Sequence, residues 1–207
     1  MTTEDHWEQV YRTKSPASVS WFQPKAERSL NLIRSTGIAL DASIIDVGGG
    51  ASTLVDGLLA DGYERVTVLD LSASAVQAAQ ARLGARAESV AWQVGDITQM
   101  AFPPASLDLW HDRAAFHFFT EPARRQAYVQ TALRAIKPGG FAVMATFAGD
   151  GPMQCSGLPV QRYDAASLAR ELGDGFALLR YEREEHRTPL GNVQRFQYAV
   201  FRRAGEC

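Results

Sequence analysis

The chain has 207 residues, of which 46% are hydrophobic, 10% are aromatic and 21% are charged. This length suits one globular domain whose core is large enough to fold without disulfides or a structural metal. The 21 basic and 23 acidic residues give a formal net charge of −2. That balance argues against a nucleic-acid-binding surface, because such surfaces carry a basic excess.

The cysteine content and the N-terminal segment indicate where the protein works. Cys155 and Cys207 are too few for a disulfide framework. The segment 1–6 is acidic and polar, unlike a secretory signal. The longest apolar run, 141–148, is far shorter than the ~20 residues that span a bilayer. We expect a cytoplasmic protein that binds neither a membrane nor a nucleic acid; the sequence leaves its oligomeric state open.

Short β-branched runs alternate with helical patterns along most of the chain. Residues 1–40 predict two helices joined by the segment 14–23. The strands that follow are predicted at 43–47, 65–70, 90–94, 107–111 and 141–147. The helices between them are predicted at about 53–60, 73–83 and 122–136. Strands separated by helices form right-handed βαβ units, so the pattern predicts an α/β fold with a doubly wound, mostly parallel sheet.

The C-terminal part changes character. A helix is predicted at 165–172, and the segments 176–183 and 194–202 alternate like strands. A turn at Gly191-Asn192 separates the two strands. The sequence therefore predicts an antiparallel hairpin that closes the sheet, with residues 1–40 as an N-terminal helical cap.

The end of the first predicted strand has the features of a nucleotide site. It reads Asp46-Val47-Gly48-Gly49-Gly50 and leads directly into a helix. Glycines let the backbone pass close to a ligand while helix N–H groups face it. The second strand ends at Asp70, where a carboxylate can accept hydrogen bonds from both hydroxyls of a ribose. Each feature alone fits a tight turn or a helix cap, but together they indicate a nucleotide.

The motifs distinguish between kinds of nucleotide. A dinucleotide fingerprint requires a third glycine where this chain has Thr53. Over residues 40–147 the sequence instead resembles the class I S-adenosylmethionine-dependent methyltransferases. The segments that carry the resemblance are 44–50, 68–72, 95–97, 102–112 and 133–140. The resemblance implies a Rossmann-like sheet of seven strands with an antiparallel C-terminal strand, and S-adenosyl-L-methionine as cofactor.

The resemblance also implies roles for individual residues. Asp70 would bind the ribose, Asp96 the adenine amino group, and Leu71 and Ile97 the faces of the ring. Asp46 would anchor the glycine turn or the amino-acid end of the cofactor, whose ammonium also requires an acceptor near Asp112. The complete predicted cofactor set is Asp46, Gly48, Gly49, Gly50, Asp70, Leu71, Asp96, Ile97 and Asp112. We divide the single domain into the cap (1–40), the cofactor-binding core (41–147) and the substrate loop with the C-terminal hairpin (148–207).

The run 110–119 follows the fourth predicted strand, so we expect it at the ligand crevice. His117 or His111 is our candidate general base for an acceptor that arrives protonated. Asp112 completes the candidate catalytic set, and Arg113 would orient an anionic group. A histidine among phenylalanines can instead be a buried structural side chain.

Two further segments are candidates for the substrate side. The segment 148–163 has no predicted helix, which is typical of a lid or binding loop, and it contains Cys155. Trp21 and Phe22 would wall the pocket from the cap. The predicted substrate-binding set is Trp21, Phe22, Arg113 and Cys155. We predict no metal site, because the spacing of His111, His117, Cys155 and His186 matches no ligand motif.

The leading hypothesis is in-line methyl transfer to a sulfur, nitrogen or oxygen atom of a small molecule. The short chain, the aromatic crevice and the lack of a basic docking surface favour it. The alternative is a protein-lysine N-methyltransferase. Two segments, Trp21-Phe22 and Asp112-Arg113-Ala114, are similar to segments of the small eukaryotic lysine methyltransferases of elongation factor 1A. Those enzymes carry Asp-Lys-Gly where this chain has Asp112-Arg113-Ala114. A nucleotide-dependent oxidoreductase and a non-catalytic binding module are the remaining alternatives.

Overall fold

A computed structural model describes residues 2–205; Cys207 lies outside the described residues. The helices are α1 (Thr3–Thr13), α2 (Glu27–Ser35), α3 (Leu54–Ala60), α4 (Ala73–Leu83), α5 (Pro122–Ala135) and α6 (Ala165–Leu172). The strands are β1 (Ser43–Val47), β2 (Arg65–Asp70), β3 (Val90–Val94), β4 (Leu107–Arg113), β5 (Ile136–Phe147), β6 (Gln154–Cys155), β7 (Leu158–Pro159), β8 (Phe176–Arg187) and β9 (Val193–Arg203). Apart from the two-residue strands β6 and β7, which lie in the predicted loop 148–163, the order of helices and strands matches the order predicted from the sequence.

A seven-stranded sheet with the order β3-β2-β1-β4-β5-β9-β8 forms the centre of the described molecule. Strands β1 to β5 are parallel, and β9 runs antiparallel to both β5 and β8. The predicted Rossmann-like fold is therefore confirmed. The strand order reverses between β1 and β4, so their carboxyl ends flank the crevice where such sheets bind ligands.

Successive residues of each central strand pack on opposite faces of the sheet. Ile44 belongs to the core beneath α2 and α3, whereas its neighbour Ile45 belongs to the core beneath α5. Both side chains are fully buried. Burial on both faces is why these strands read as continuous apolar runs rather than as alternating ones.

The structure extends three of the predicted strands. Strand β4 reaches Arg113, and β5 begins at Ile136, which the sequence predicts as the end of α5. Ile136 pairs with Leu107, whereas the predicted turn 137–140 lies between this pair and the next one, Leu109 with Phe141. The pairing of β4 with β5 shifts register between Leu107 and Leu109 to accommodate this segment. Strand β8 reaches Arg187, because its pairing with β9 continues beyond 176–183, the segment in which apolar and polar residues alternate.

The predicted cap helices are α1 and α2, and α1 docks on the first turn of α4. Glu8 Oε2 accepts hydrogen bonds from the Ser72 hydroxyl (2.8 Å) and from the Ser74 N–H (3.1 Å). His6 Nε2 lies 3.3 Å from the hydroxyl of Ser156, in the long segment after β5. These contacts hold α1 over the carboxyl edge of the sheet. Within the described residues, no helix has the length and apolarity needed to cross a bilayer.

Candidate functional site

A large cleft, here called the main cleft, opens between α1 and the carboxyl ends of β1, β2 and β4. It encloses about 800 Å³ of empty space, including open solvent at its mouth. Its lining consists of Thr3, Trp7, Tyr11, Trp21, Val47, Gly48, Leu69, Asp70, Leu71, Gly95, Asp96, Ile97, Arg113, Ala114, Ala115, Phe118, Phe119, Arg124 and Cys155. Apolar and aromatic side chains predominate, with a few charged groups among them.

The glycine turn after β1 lies directly against two carboxylates. A Cβ at Gly49 would lie 2.4 Å from Asp46 Oδ2, and a Cβ at Gly50 would lie 2.4 Å from Asp70 Oδ2. The N–H groups of Gly48 and Gly49 both donate to the Leu69 carbonyl, at 2.8 and 3.2 Å. Side chains at these positions would separate the turn from the carboxylates, so the glycines are required for this packing.

Asp70 lies in the main cleft at the end of β2 and is 8% exposed. Its Oδ1 accepts a hydrogen bond from the Ser72 N–H at 2.8 Å. Burial raises the pKa of this carboxyl to about 7, with a smaller contribution from the charge of Asp46. A bound ligand that donates hydrogen bonds to the carboxylate would favour its ionised form.

A second cleft lies on the other side of the glycine turn. Its lining consists of Tyr11, Pro16, Val19, Trp21, Phe22, Gln23, Asp46, Gly48, Gly49, Ala51, Ser52, Thr53, His111 and Arg113. Asp46 Oδ1 lies 2.7 Å from His111 Nδ1, whereas its buried Oδ2 has no hydrogen-bond partner among the described residues. The two clefts share Tyr11, Trp21, Gly48 and Arg113. An elongated ligand can therefore span both.

The predicted adenine-binding residues Leu71, Asp96 and Ile97 all line the main cleft. Asp96 Oδ1 accepts hydrogen bonds from the N–H (2.9 Å) and hydroxyl (2.7 Å) of Thr98. Asp96 Oδ2 accepts one from Arg124, whose guanidinium lies 5.1 Å from the centroid of the Phe119 ring. These contacts fix the carboxylate at the edge of the cleft.

Several lining residues are absent from the predicted site. Thr3, Trp7 and Tyr11 recur at every fourth position of α1, so they share one face of the helix. This spacing could have marked the face that covers the cleft. No comparable signal marks Arg124, because its place depends on how α5 packs against the end of β3.

Arg113 lines both clefts and is held by three contacts. Its Nε donates to the Tyr198 hydroxyl (2.8 Å), its Nη1 donates to the Trp21 carbonyl (3.0 Å), and the guanidinium lies 4.4 Å from the centroid of the Phe196 ring. The buried Nη2 has no hydrogen-bond partner within residues 2–205. One donor of a fixed cation therefore has no partner among the described residues.

The two candidate bases do not have a free nitrogen facing the main cleft. His117 is fully buried and, in the described part of the chain, belongs to the lining of neither cleft. Its Nδ1 accepts a hydrogen bond from the Phe147 N–H at 3.2 Å, and burial lowers its pKa to about 3, so the ring stays neutral. His111 lines the second cleft, but its nitrogens face Asp46 and Ser29. Neither histidine belongs to the described lining of the main cleft, and a base in the run after β4 stays a prediction.

Asp112 is also turned into the protein rather than toward the crevice. Its carboxylate accepts hydrogen bonds from the N–H groups of Ala115 and Phe116 and from the Tyr128 hydroxyl (2.6 Å). It is fully buried, and burial raises its pKa to about 6. Neither cleft includes it among its described lining residues. Asp112 therefore shapes the turn after β4, and its place in the cofactor and catalytic sets stays a prediction.

The remaining predicted substrate residues line one or both clefts. Trp21 lines both clefts, and its Nε1 donates to the Tyr11 hydroxyl at 3.2 Å. Phe22 lines the second cleft. Cys155 lines the main cleft, and burial raises its pKa to about 12, which keeps it a thiol. Among the residues that the structure describes, no group of three or more histidine, cysteine, aspartate or glutamate residues could hold a metal ion.

Comparison with known proteins decides the family. A family model described as a methyltransferase domain matches residues 44–140, and the fold around that segment is the one just described. The chain is a class I S-adenosylmethionine-dependent methyltransferase. Its cofactor is S-adenosylmethionine, and the oxidoreductase and binding-module alternatives are set aside.

Individual relatives of this methyltransferase are distant. It is 24% identical over 201 residues to the human EEF1A lysine methyltransferase 2, covering 90% of this chain and 78% of that protein. A structure from work on converting a disulfide bond into a thioacetal group during echinomycin biosynthesis has a TM-score of 0.80 and 19% identity, covering 100% of this chain and 93% of that one. A third relative is the 1,6-didemethyltoxoflavin-N1-methyltransferase of Burkholderia thailandensis, with bound 1,6-didemethyltoxoflavin and S-adenosylhomocysteine. Its structure has a TM-score of 0.71 and 18% identity, covering 98% of this chain and 84% of that one. Likeness to these two structures, at such low identity, establishes the fold alone.

The raised pKa of Asp70 leads to a pH-dependent affinity. We expect S-adenosylhomocysteine to bind more weakly as the pH falls below about 7, by up to about tenfold per pH unit, because protonation removes a carboxylate acceptor. Asp70→Asn should bind weakly throughout and lose this dependence. Isothermal titration calorimetry between about pH 5.5 and 8 measures both. A wild-type affinity that does not change over this range would contradict the assignment.

The packing of Gly50 leads to a second expectation. In Gly50→Ala the new Cβ would displace the Asp70 carboxylate, so we expect S-adenosylhomocysteine affinity to fall by more than about tenfold. The matched control is Gly84→Ala. Gly84 also has a positive φ, +59°, but a Cβ added there would have nothing within 4 Å. The control should lose about 1 kcal/mol of unfolding free energy and keep its affinity; equal affinities for both variants would contradict the role of Gly50.

Proposed function

We propose that this methyltransferase transfers a methyl group to a sulfur, nitrogen or oxygen atom of a small molecule that carries an anionic group. The unpartnered Nη2 of Arg113 is the observation that carries the proposal, because it leaves a fixed positive donor where the two clefts meet. A cofactor that spans both clefts would pass close to this donor.

The cofactor would span both clefts. In the main cleft, Asp70 would accept hydrogen bonds from the ribose hydroxyls, and Leu71 and Ile97 would pack on the adenine ring. In the second cleft, the orphaned Oδ2 of Asp46 suits the ammonium of the amino-acid end, because a buried carboxylate oxygen without a partner is costly. The residues present therefore fit S-adenosylmethionine. When bound, this cofactor supplies a methyl group activated by its positively charged sulfur.

Electrostatics separate the cofactor region from the acceptor region. The carboxylates among the described lining of the main cleft are Asp70 and Asp96, which we assign to the cofactor. Arg124 is paired with Asp96, so Arg113 is the cation whose donor is left for an acceptor. A guanidinium attracts a carboxylate, phosphate or thiolate and repels an ammonium. This charge favours an anionic small molecule over a lysine side chain.

The same cation bears on how an acceptor loses its proton. No histidine offers a free nitrogen to the main cleft within the described residues. A nearby positive charge favours the ionised form of a thiol or acidic hydroxyl, so Arg113 would favour binding of an acceptor that has already released its proton to bulk water. The aromatic side chains of Trp7, Trp21 and Phe118 would exclude water and orient the acceptor.

Protein-lysine methylation is the second candidate. Similarity to the human EEF1A lysine methyltransferase 2 extends over 90% of this chain, and the aromatic wall could accommodate a lysine stem. A lysine acceptor, however, approaches as an ammonium, which the positive charge of Arg113 repels.

Labelling with tritiated S-adenosylmethionine would test the proposal. After incubation with a lysate separated into protein and small-molecule fractions, we expect label in the small-molecule fraction. Arg113→Gln should lower this incorporation by about tenfold or more, because it removes a charge-assisted hydrogen bond. Its affinity for S-adenosylhomocysteine should change by less than about threefold. Arg86→Gln, an exposed arginine outside both clefts, serves as the control.

Two outcomes would contradict this assignment. Label confined to the protein fraction would favour lysine methylation. An Arg113→Gln variant that loses S-adenosylhomocysteine affinity as strongly as it loses activity would place Arg113 on the cofactor rather than on the acceptor.

A further inference from the structure

Three buried polar side chains form a chain of contacts from the cap to the glycine turn. The Ser29 hydroxyl of α2 lies 2.8 Å from His111 Nε2 on β4, and His111 Nδ1 lies 2.7 Å from Asp46 Oδ1 on β1. Ser29 is 1% exposed, and His111 and Asp46 are each 2% exposed. The chain thus joins three elements of the fold through groups that water does not reach.

The chemistry of the three groups fixes the orientation of the imidazole ring. An ionised carboxylate can only accept, so the proton on Nδ1 points at Asp46. Nε2 and the Ser29 hydroxyl form the second hydrogen bond, because a hydroxyl can either donate or accept. Rotating the ring about its bond to Cβ would break both contacts at once. His111 is therefore held from both sides, and it holds one oxygen of Asp46 in turn.

Fixing Oδ1 also fixes the direction of the second oxygen. Oδ2 of Asp46 lies beneath Gly49, where a side chain would collide with it, and it has no partner among the described residues. Asp46 lines the second cleft together with Gly48, Gly49 and Ser52. A cationic group bound there would compensate this oxygen directly or through one water molecule.

We infer that His111 and Ser29 are positioning residues that orient the Asp46 carboxylate toward the ammonium of the cofactor's amino-acid end. The inference rests on the proposed placement of that end in the second cleft. It gives His111 a function other than proton transfer from the acceptor. It also makes cofactor binding depend on the docking of α2, because Ser29 belongs to the cap.

A pair of ligands separates positioning from general structural support. S-Adenosylhomocysteine carries the amino-acid end, whereas 5′-methylthioadenosine has the same adenosine and sulfur without it. His111→Phe should weaken S-adenosylhomocysteine binding by about tenfold or more and leave 5′-methylthioadenosine binding within about twofold. His111→Asn should rescue most of the loss, because its amide N–H can replace Nδ1–H as a donor to Asp46. Calorimetry with both ligands measures these effects without turnover.

Further variants and a matched control complete the experiment. Asp46→Asn should show the same selectivity as His111→Phe, and Ser29→Ala a smaller, equally selective loss. His186→Phe is the matched control, because His186 is 7% exposed and bonds to the Ser20 carbonyl, and the described lining of neither cleft includes it. This control should bind both ligands like the wild type.

The possible failures are distinguishable. If His111→Phe weakens the binding of both ligands equally, the positioning inference is wrong. It is also wrong if His111→Phe weakens the binding of neither ligand while Asp46→Asn weakens that of S-adenosylhomocysteine alone. In that second case the placement of the amino-acid end beside Asp46 stands. If Asp46→Asn binds both ligands like the wild type, the placement of the amino-acid end is wrong and the inference fails with it.

Discussion

The close packing of two carboxylates against a turn of three glycines is the constraint on which the site depends. Asp46 and Asp70 end adjacent parallel strands, and each has an oxygen where a Cβ on the turn would lie, 2.4 Å away. Burial raises the pKa of Asp70 to about 7, and the charge of Asp46 contributes to this rise. The arrangement is consistent with a ligand that supplies both hydroxyl donors and a positive charge.

The opposite charge appears where the acceptor would enter. Arg113 follows directly after the buried Asp112 on β4, and it is held by Tyr198, Phe196 and the Trp21 carbonyl. Tyr198 and Phe196 lie on β9, the antiparallel strand, so the closure of the sheet positions this cation. The cap contributes the other contact and the aromatic wall. In the proposed arrangement, the parallel strands build the cofactor end of the site, and β9 and the cap build the acceptor end.

The sequence predicted the parts of the structure that depend on local patterns. Apolar runs located the strands, and the spacing of the motifs located Gly48, Gly49 and Asp70, which line the clefts, although Gly50 lines neither of them. It could not predict the inward direction of His117 and Asp112. The chain turns sharply after β4, with Ala114 at φ +69° and a 3₁₀ turn over Phe116–Phe118, and residue type alone does not show which side chains such a turn buries. The place of α1 over the cleft depends on tertiary contacts, such as those of Glu8, that no local pattern shows.

A crystal structure with bound S-adenosylhomocysteine would test the central claim most directly. We expect the ribose hydroxyls on the Asp70 carboxylate, the adenine between Leu71 and Ile97, and the amino-acid end beside Asp46. A ligand bound in the reverse direction, with its adenine beside Asp46, would contradict the account. So would a ligand that leaves Asp70 without a ribose contact.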